Sequence, residues 1–361
     1  MGIKDLTVFI LENAPDAINY TTLDKFCNKK VAIDVSIFLY KFKYKGDKII
    51  YKILEQINRL RLHNITPIYI FDGKPTYHKQ DVINDRKEIK IDNLKRLSEL
   101  QNKLSELSVN SNNSASDANN SVSESNGSKN REIEILKRDI DKLNNKVIYV
   151  TKEDIINLKL FLDTLNIPYL QAEGEADFLC SKLCEQRIVD MVISEDMDLL
   201  TSGTNILLRN FNINSNKIIS YSLQTILNTL NLSYEKWVEL CILFGCDYLK
   251  RIRGIGPKCS YKFVSNNINK DFKEIMEQIE NSKKCDIPDN YMDNFNRSKD
   301  LFMNINIDYL NFKSKEDLNN FIRIKPLNDT QKENISIYIS KNSNLFLSNT
   351  QIRNRVKNIY K

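Results

Sequence analysis

The chain has 361 residues, of which 41% are hydrophobic and 28% charged, so it can bury the core of one large domain or two ordinary ones. Its formal net charge of +6 fits a nucleic-acid partner but does not by itself indicate one. Only two histidines are present, His63 and His78, which argues against a histidine-based zinc site and against a Ser-His-Asp triad. The seven cysteines form no Cys-x-x-Cys motif, which predicts free thiols in a reducing compartment. Without a signal-peptide pattern or an apolar run of membrane-spanning length, we expect an intracellular protein with no membrane partner.

Three short runs of apolar, β-branched residues are typical of buried parallel strands. They span residues 31–35, 66–71 and 189–193, and an aspartate closes or soon follows each one. Between the second and third runs, Thr151-x-x-Asp154 forms a capping box that predicts the start of a helix. Alternation of strands with helices predicts an α/β fold.

Two amphipathic helical stretches enclose a strongly polar segment. The first runs from about Val82 to Leu107 with leucines along one face, and the second carries apolar residues at helical spacing between Ile133 and Leu143. Residues 108–130 between them are almost entirely Ser, Asn and small residues, a composition too polar to fold alone. We predict two helices joined by a disordered insert.

Aspartates at strand ends are the main chemical signal. Asp34, Asp72 and Asp196 follow three predicted parallel strands, whose carboxyl ends meet at the edge where open α/β sheets bind ligands. Four further acids lie close to these motifs in sequence or at helix ends: Glu175, Asp177, Asp198 and Asp247. A single aspartate is ordinarily solvated or caps a helix, but this number in one cleft would raise the acids' own pKa values unless cations were bound.

Carboxylate oxygens are the ligands that Mg²⁺ prefers. Two such ions roughly 4 Å apart activate water on one side of a phosphodiester and stabilise the leaving oxygen on the other. The acids therefore predict a hydrolytic two-metal site.

Six motifs in order carry a family resemblance. They are Met1–Leu6 (MGIKDL), Val31–Ser36 (VAIDVS), Tyr69–Pro75 (YIFDGKP), Gly174–Asp177 (GEAD), Ser194–Asp198 (SEDMD) and Gly245–Lys258 (GCDYLKRIRGIGPK). Over roughly residues 1–90 and 146–275 the chain resembles the flap endonuclease and XPG family of structure-specific 5′ nucleases. The resemblance implies a PIN-like 5′-nuclease fold, with a central, mostly parallel sheet flanked by helices, a helical arch and a helix-hairpin-helix motif.

The resemblance also implies roles for individual residues. The seven acids are the ligands of two Mg²⁺ ions, which Mn²⁺ can replace, with Asp34, Asp72 and Asp196 at the catalytic centre. A mature Gly2 lies beside them and is among the implied DNA contacts. Lys79 and Arg86 match two basic residues that grip the scissile phosphate, and their spacing of seven puts both on one helix face. Tyr40 matches an aromatic on which a displaced base stacks, and the alternative is an ordinary core tyrosine.

The segment before Lys258 is similar to the family's helix-hairpin-helix. Its glycines let backbone amides approach phosphates closely. The implied DNA contacts are Arg253, Gly254, Gly256 and Lys258. The implied K⁺ ligands are the backbone carbonyls of Arg251, Ile252 and Ile255.

The same resemblance divides the chain into regions. They are an N-terminal nuclease region (1–90), an arch (78–150) with its disordered insert (108–130), an internal nuclease region (146–275) with the hairpin motif at 247–265, and a C-terminal extension (276–361).

The resemblance implies hydrolysis of DNA at 5′ flaps, nicks or branched duplexes, by a monomer acting in replication and repair in the nucleus or another site of DNA synthesis. An exonuclease-type or junction-resolving member stays open, because Asp177 stands where many flap endonucleases have Glu and residues 210–222 are similar to the junction-resolving branch. No sliding-clamp partner is predicted, because the segment from Gln331 to Tyr338 fails the pattern of the clamp-binding peptide, with Asn334 at its aliphatic position. Two further alternatives fit the sequence less well. A non-catalytic DNA-binding relative would lack some of the seven acids, and all seven are present here. A PIN-type ribonuclease would need neither the helix-hairpin-helix nor the arch, and the sequence predicts both.

Overall fold

The structure is a computed structural model, and it describes residues 2–44, 49–74, 80–113, 123–147, 150–282, 287–304, 312–325, 327–342 and 348–360. The strands are β1 (Ile18–Thr22), β2 (Lys30–Asp34), β3 (Thr66–Phe71), β4 (Tyr169–Gln171), β5 (Met191–Ile193), β6 (Ile206–Arg209) and β7 (Lys217–Ser222). They form one sheet in the order β1-β7-β6-β5-β2-β3-β4. Neighbours from β6 to β4 are parallel, and β7 runs antiparallel to both β6 and β1.

Helices cover both faces of the sheet. They are α1 (Leu6–Asn13), α2 (Val35–Tyr44), α3 (Ile49–Leu62), α4 (Gln80–Asn113), α5 (Ser123–Lys146), α6 (Lys152–Thr164), α7 (Ala176–Glu185), α8 (Asp198–Thr201), α9 (Leu223–Leu230), α10 (Tyr234–Phe244), α11 (Pro257–Ser265), α12 (Phe272–Asn281), α13 (Tyr291–Met303), α14 (Lys315–Phe321), α15 (Asp329–Asn342) and α16 (Asn349–Ile359). None of those in the described part of the chain combines the length and apolar composition that a membrane crossing needs.

The three predicted strands are confirmed as β2, β3 and β5. Alternate side chains of β2 enter two different apolar clusters, Ala32 on one face and Val31 and Ile33 on the other, because successive side chains of a strand point to opposite faces. The chain leaves β2 towards β3 on one side, whereas β5 lies on the other side of β2. The strand order therefore changes direction at β2, and a crevice opens there at the carboxyl ends.

The C-terminal region contributes to both clusters. Phe295 and Phe302 of α13 are buried on one face, and Ile352 and Val356 of α16 are buried on the other. The guanidinium of Arg61 in α3 donates to the Ile359 carbonyl at 2.8 Å. The described helices α13 and α16 of this region are thus part of the core.

The predicted arch helices are present as α4 and α5, which are joined by an ion pair between Lys103 and Glu132 at 3.0 Å. The expectation of disorder over 108–130 needs correction at both ends, since the backbone is helical through Asn113 and again from Ser123. Extending an existing helix costs far less than starting one, so polar residues can continue its last turns. The centre of the insert, 114–122, lies outside the described residues.

Candidate active site

Asp34 is the buried centre of the site. It ends β2, is 6% exposed, and accepts hydrogen bonds from the Ser36 amide at 3.1 Å and the Ser194 hydroxyl at 3.4 Å. Burial, followed by the negative charges of Asp72 and Asp196, raises the pKa of Asp34 to about 7, although the two hydrogen bonds act to lower it. The three predicted strand-end acids therefore act on one another.

Asp72 connects β3 to the start of α7. Its carboxylate accepts from the Ala176 amide at 2.8 Å and from the Ser36 hydroxyl. Because Ala176 is the first residue of α7, this bond brings Glu175 and Asp177 to the cleft. The favourable end of the α7 dipole faces Asp72.

Asp196 and Asp198 meet the N-terminus of the chain. The Asp198 amide donates to the Asp196 carboxylate at 3.1 Å, and the Ile3 amide donates to the Asp198 carboxylate at 2.6 Å. Gly2 has a φ of 86°, and a side chain at this position would collide with both carboxylates. Only glycine fits here without strain, and Gly2 lies beside the acids, where the family resemblance implies it.

Tyr248 connects the remaining acids to the cleft. Its hydroxyl donates to the Glu175 carboxylate at 2.9 Å, and burial, followed by the charges of Asp177 and Glu175, raises the pKa of Tyr248. Asp247 is half-buried next to it. The pKa of Cys246 is raised to about 12 by burial, with smaller contributions from the charges of Asp198 and Asp247.

The acids converge, but they do not form a complete ligand shell. Within the described ranges, no three Asp, Glu, His or Cys side chains stand as the ligand set of a single ion. Their chemistry nevertheless fits a hard divalent cation, because the donors are carboxylates and Asp34 is buried among like charges. The metal-ligand roles of the seven acids stay predictions.

The predicted DNA contacts fall into three groups. Tyr40 on α2 is 52% exposed, which makes the alternative of a core tyrosine wrong. Lys79 lies outside the described residues, and Arg86 lies on α4 at a position whose side chain the structure does not describe. The third group lies in the hairpin between α10 and α11.

The hairpin exposes its predicted phosphate contacts. Arg253 and Lys258 are exposed, Gly254 has a φ of 88°, and Gly256 caps α11 with open space around it. The predicted K⁺ ligands belong to the same loop: the Ile255 amide donates to the Ile252 carbonyl at 3.2 Å, and both side chains are buried.

Two family models match the regions that contain the seven acids. The XPG N-terminal domain matches residues 1–93 and the XPG I-region matches residues 166–247. Flap endonuclease 1 of Cryptosporidium parvum (strain Iowa II) is 31% identical over 334 residues, which are 84% of this chain and 61% of that protein. Flap endonuclease 1 of Glossina morsitans morsitans is 30% identical over 321 residues, which are 84% of this chain and 75% of that protein. The chain belongs to the flap endonuclease and XPG family of nucleases.

Solved structures of this family share the fold. The catalytic core of Rad2 in complex with DNA substrate superposes with a TM-score of 0.62 at 18% identity, with both chains fully covered. Flap endonuclease-1 from Methanococcus jannaschii gives a TM-score of 0.60 at 20% identity, covering 95% of each chain. The predicted PIN-like fold class is confirmed.

Three polar side chains that donate hydrogen bonds to the acids were not predicted from the sequence. Ser36 and Ser194 hold Asp72 and Asp34, and Tyr248 holds Glu175. Each serine lies two residues from a predicted metal acid, which was a signal for its presence at the site, but its hydroxyl bonds to an acid of a different strand. Tyr248 and Glu175 are far apart in sequence, so no local pattern pairs them.

Proposed function

We propose that this nuclease hydrolyses DNA phosphodiesters at 5′ flaps, nicks or branched duplexes and depends on a divalent metal. The observation that carries the proposal is the convergence of Asp34, Asp72 and Asp196 at the carboxyl ends of β2, β3 and β5. Asp34 is 6% exposed, and its strongest charged neighbours are the other two carboxylates. A cation is the partner that makes such a group of acids stable in its ionised form.

The seven acids would hold two Mg²⁺ ions, with Mn²⁺ as a substitute. Bound ions of this kind supply an ionised water and charge stabilisation of the leaving oxygen. A junction-resolving enzyme of this fold, GEN1, has been solved with product DNA, Mg²⁺ and Mn²⁺, which supports the choice of ion. The protein orients the acids: the Ser36 hydroxyl holds Asp72, and the Ile3 amide holds Asp198.

DNA would be held on both sides of this cleft. The exposed Tyr40 ring offers a stacking surface, and Lys79 and Arg86 would contact the scissile phosphate. On the hairpin, the backbone of Gly254 and Gly256 can approach a phosphate closely, and Arg253 and Lys258 add positive charge. The carbonyls of Arg251, Ile252 and Ile255 would hold K⁺, in keeping with the junction-resolving enzyme GEN-1, which has been solved with potassium.

The test is a panel of end-labelled DNA substrates with Mg²⁺: a 5′ flap, a flap blocked at its 5′ end, a nick, a recessed 5′ end and a four-way junction. We expect cleavage of the flapped and nicked duplexes, loss of cleavage in EDTA, and weaker binding as salt rises because phosphate contacts release counterions. Preference for the recessed end or the junction would assign the chain to the exonuclease-type or junction-resolving branch. Absence of cleavage on every substrate, or full cleavage in EDTA, would contradict the proposal.

A further inference from the structure

Asp5 adopts an unusual conformation at the start of α1. Its φ is 59° and its ψ is 7°, in the left-handed region that few non-glycine residues occupy. An aspartate at this position ordinarily caps the helix by accepting from backbone amides of the first turn. The Asp5 side chain makes no such bond. Its carboxylate bonds instead to a side chain outside α1.

The partner of the Asp5 carboxylate is Arg251, which lies in the hairpin loop. Asp5 accepts from the terminal guanidinium nitrogen of Arg251 at 2.6 Å. The same guanidinium donates through Nε to the Phe244 carbonyl at 2.9 Å, at the end of α10. A planar guanidinium fixes two partners at once, so Arg251 connects the N-terminal segment to the loop that follows α10. A backbone bond from the Lys4 amide to the Gly245 carbonyl at 3.2 Å lies beside it.

The other end of this short segment touches the acids. The Ile3 amide donates to the Asp198 carboxylate at 2.6 Å, and Gly2 lies directly against Asp196 and Asp198. Residues 2–5 thus form one short connection, with the acid cleft at one end and the hairpin loop at the other. A shift of Asp5 would move the amide that orients Asp198.

We propose that Asp5 is a positioning residue that couples the hairpin loop to the acid cleft through Arg251. Duplex seated on the hairpin then favours the arrangement of residues 2–5 in which Asp198 is correctly oriented. The proposal rests on the nuclease function above. The predicted K⁺ role of Arg251 uses its backbone carbonyl, so substitution of the side chain leaves that ligand in place.

The alternative is that Asp5 and Arg251 form a surface ion pair that has no role in catalysis or metal binding. The Asp5 side chain is 57% exposed, and exposed pairs contribute little to stability. A purely structural role therefore predicts that Asp5→Asn changes neither kcat nor metal affinity. Asn tolerates the left-handed conformation, so this variant removes the charge while keeping the backbone shape.

The experiment measures kcat, KM and Mn²⁺ affinity for the wild-type chain and for Asp5→Asn. Residues that orient metal ligands typically contribute about 10–100-fold to metal affinity or activity. For Asp5→Asn we expect a loss near the lower limit, about 10-fold, in kcat and in Mn²⁺ affinity. KM for a flapped duplex should stay nearly constant. A lowered melting temperature with unchanged kcat and Mn²⁺ affinity would overturn the proposal.

A double-mutant cycle tests whether the effect passes through Arg251. Arg251→Met alone should match Asp5→Asn, and the double variant should be no worse than either, because both changes break one connection. Multiplication of the two losses would show that the residues act independently and would overturn the coupling. Arg251→Lys, which keeps a cation near Asp5, should recover part of the rate.

The matched control is Glu333→Gln, which removes an exposed carboxylate from its arginine partner, Arg353, in the C-terminal helices. It should leave kcat and Mn²⁺ affinity unchanged. If the wild-type chain binds Mn²⁺ but cleaves no DNA, the proposed function fails, whereas the Mn²⁺ arm still decides the role of Asp5.

Discussion

Two buried carboxylates, each at the centre of a group of charged side chains, are held in opposite ways. Glu239 on α10 is 2% exposed and accepts from two cations, Lys236 and Lys299, each at 2.8 Å. Asp34 is 6% exposed, and its strongest charged neighbours, Asp72 and Asp196, are both negative. Both of these carboxylates are buried. Among the described residues, cations balance the charge of Glu239, whereas the strongest charged neighbours of Asp34 are negative.

The difference separates a structural role from a functional one. In the first group, Lys299 on α13 also pairs with Glu235, so charges of both signs fasten α13 to α10. In the second group, like charges are kept together by serine hydroxyls and backbone amides, which orient carboxylates without neutralising them. Removing a carboxylate should therefore mainly lower stability in the first group and mainly lower catalysis in the second.

The largest expected effect is that of Asp196→Ala on cleavage. We expect kcat on a flapped duplex to fall by at least about 10³-fold, as for loss of a central catalytic group, with little change in the Kd for that duplex. Single-turnover cleavage and a binding titration without metal measure the two quantities. Asp190→Ala is the control, since Asp190 pairs with Lys29 at the opposite end of β5 and should not affect the rate. Equal losses of binding and cleavage would contradict the assignment.

The next effect is that of Glu239→Ala on stability. Breaking a buried pair typically costs about 3–5 kcal/mol, because the cations left behind lose their partner. Urea unfolding should show this loss, while the folded fraction keeps the wild-type kcat. Glu333→Ala, which breaks an exposed pair with Arg353, should cost less than about 1 kcal/mol. If the two variants lose the same stability, the contrast between the two groups is wrong.

A third effect concerns Lys79, which the sequence predicts to supply positive charge at the scissile phosphate. We expect Lys79→Ala to lower kcat by about 10²-fold, the loss typical of one group that stabilises transition-state charge. Steady-state kinetics on the flapped duplex measure it. Lys95→Ala, at an exposed position of α4, is the control. Unchanged turnover in Lys79→Ala would remove this residue from the site.

The smallest effect is that of Thr151→Ala, which removes the cap of α6. The Thr151 hydroxyl accepts from the Asp154 amide at 3.1 Å, and loss of such a cap costs about 1 kcal/mol.

This contribution should depend on pH. Burial alone would raise the pKa of Asp154, but hydrogen bonds from Lys43 and Thr151 outweigh burial and lower it. The stabilisation is therefore complete above the ordinary pKa of 3.8 and is lost as pH falls below it. Urea unfolding at pH 7 and near pH 3 should show a smaller difference between variant and wild type at the lower pH. A difference that grows on acidification would contradict the sign.

Local patterns predicted the parts of the fold that depend on neighbouring residues. The apolar runs of β2 and β3 and the capping box at Thr151 were predicted correctly, because burial and capping leave marks within a few residues. The half-exposed edge strand β1 and its antiparallel partner β7 were missed, since neither has a continuous apolar run.

Hydrogen-bond partners that lie far apart in sequence could not be predicted from local sequence patterns. The strand-end rule predicts that Asp34 and Asp72 approach each other, because parallel strands end at the same edge. It does not predict that Asp72 binds the Ala176 amide or that Asp5 binds Arg251, since these partners lie far apart in sequence. The exposure of Tyr40 likewise follows from how α2 sits on the sheet.

The most direct test of the central claim is a calorimetric titration of Mn²⁺ into the metal-free protein, with Asp34→Asn and Asp190→Asn as paired variants. The account predicts saturable binding to the wild type and to Asp190→Asn, and strongly weakened binding to Asp34→Asn, because Asp34 is buried next to the negative charges of Asp72 and Asp196. Equal Mn²⁺ binding by all three proteins, or binding by none, would contradict it.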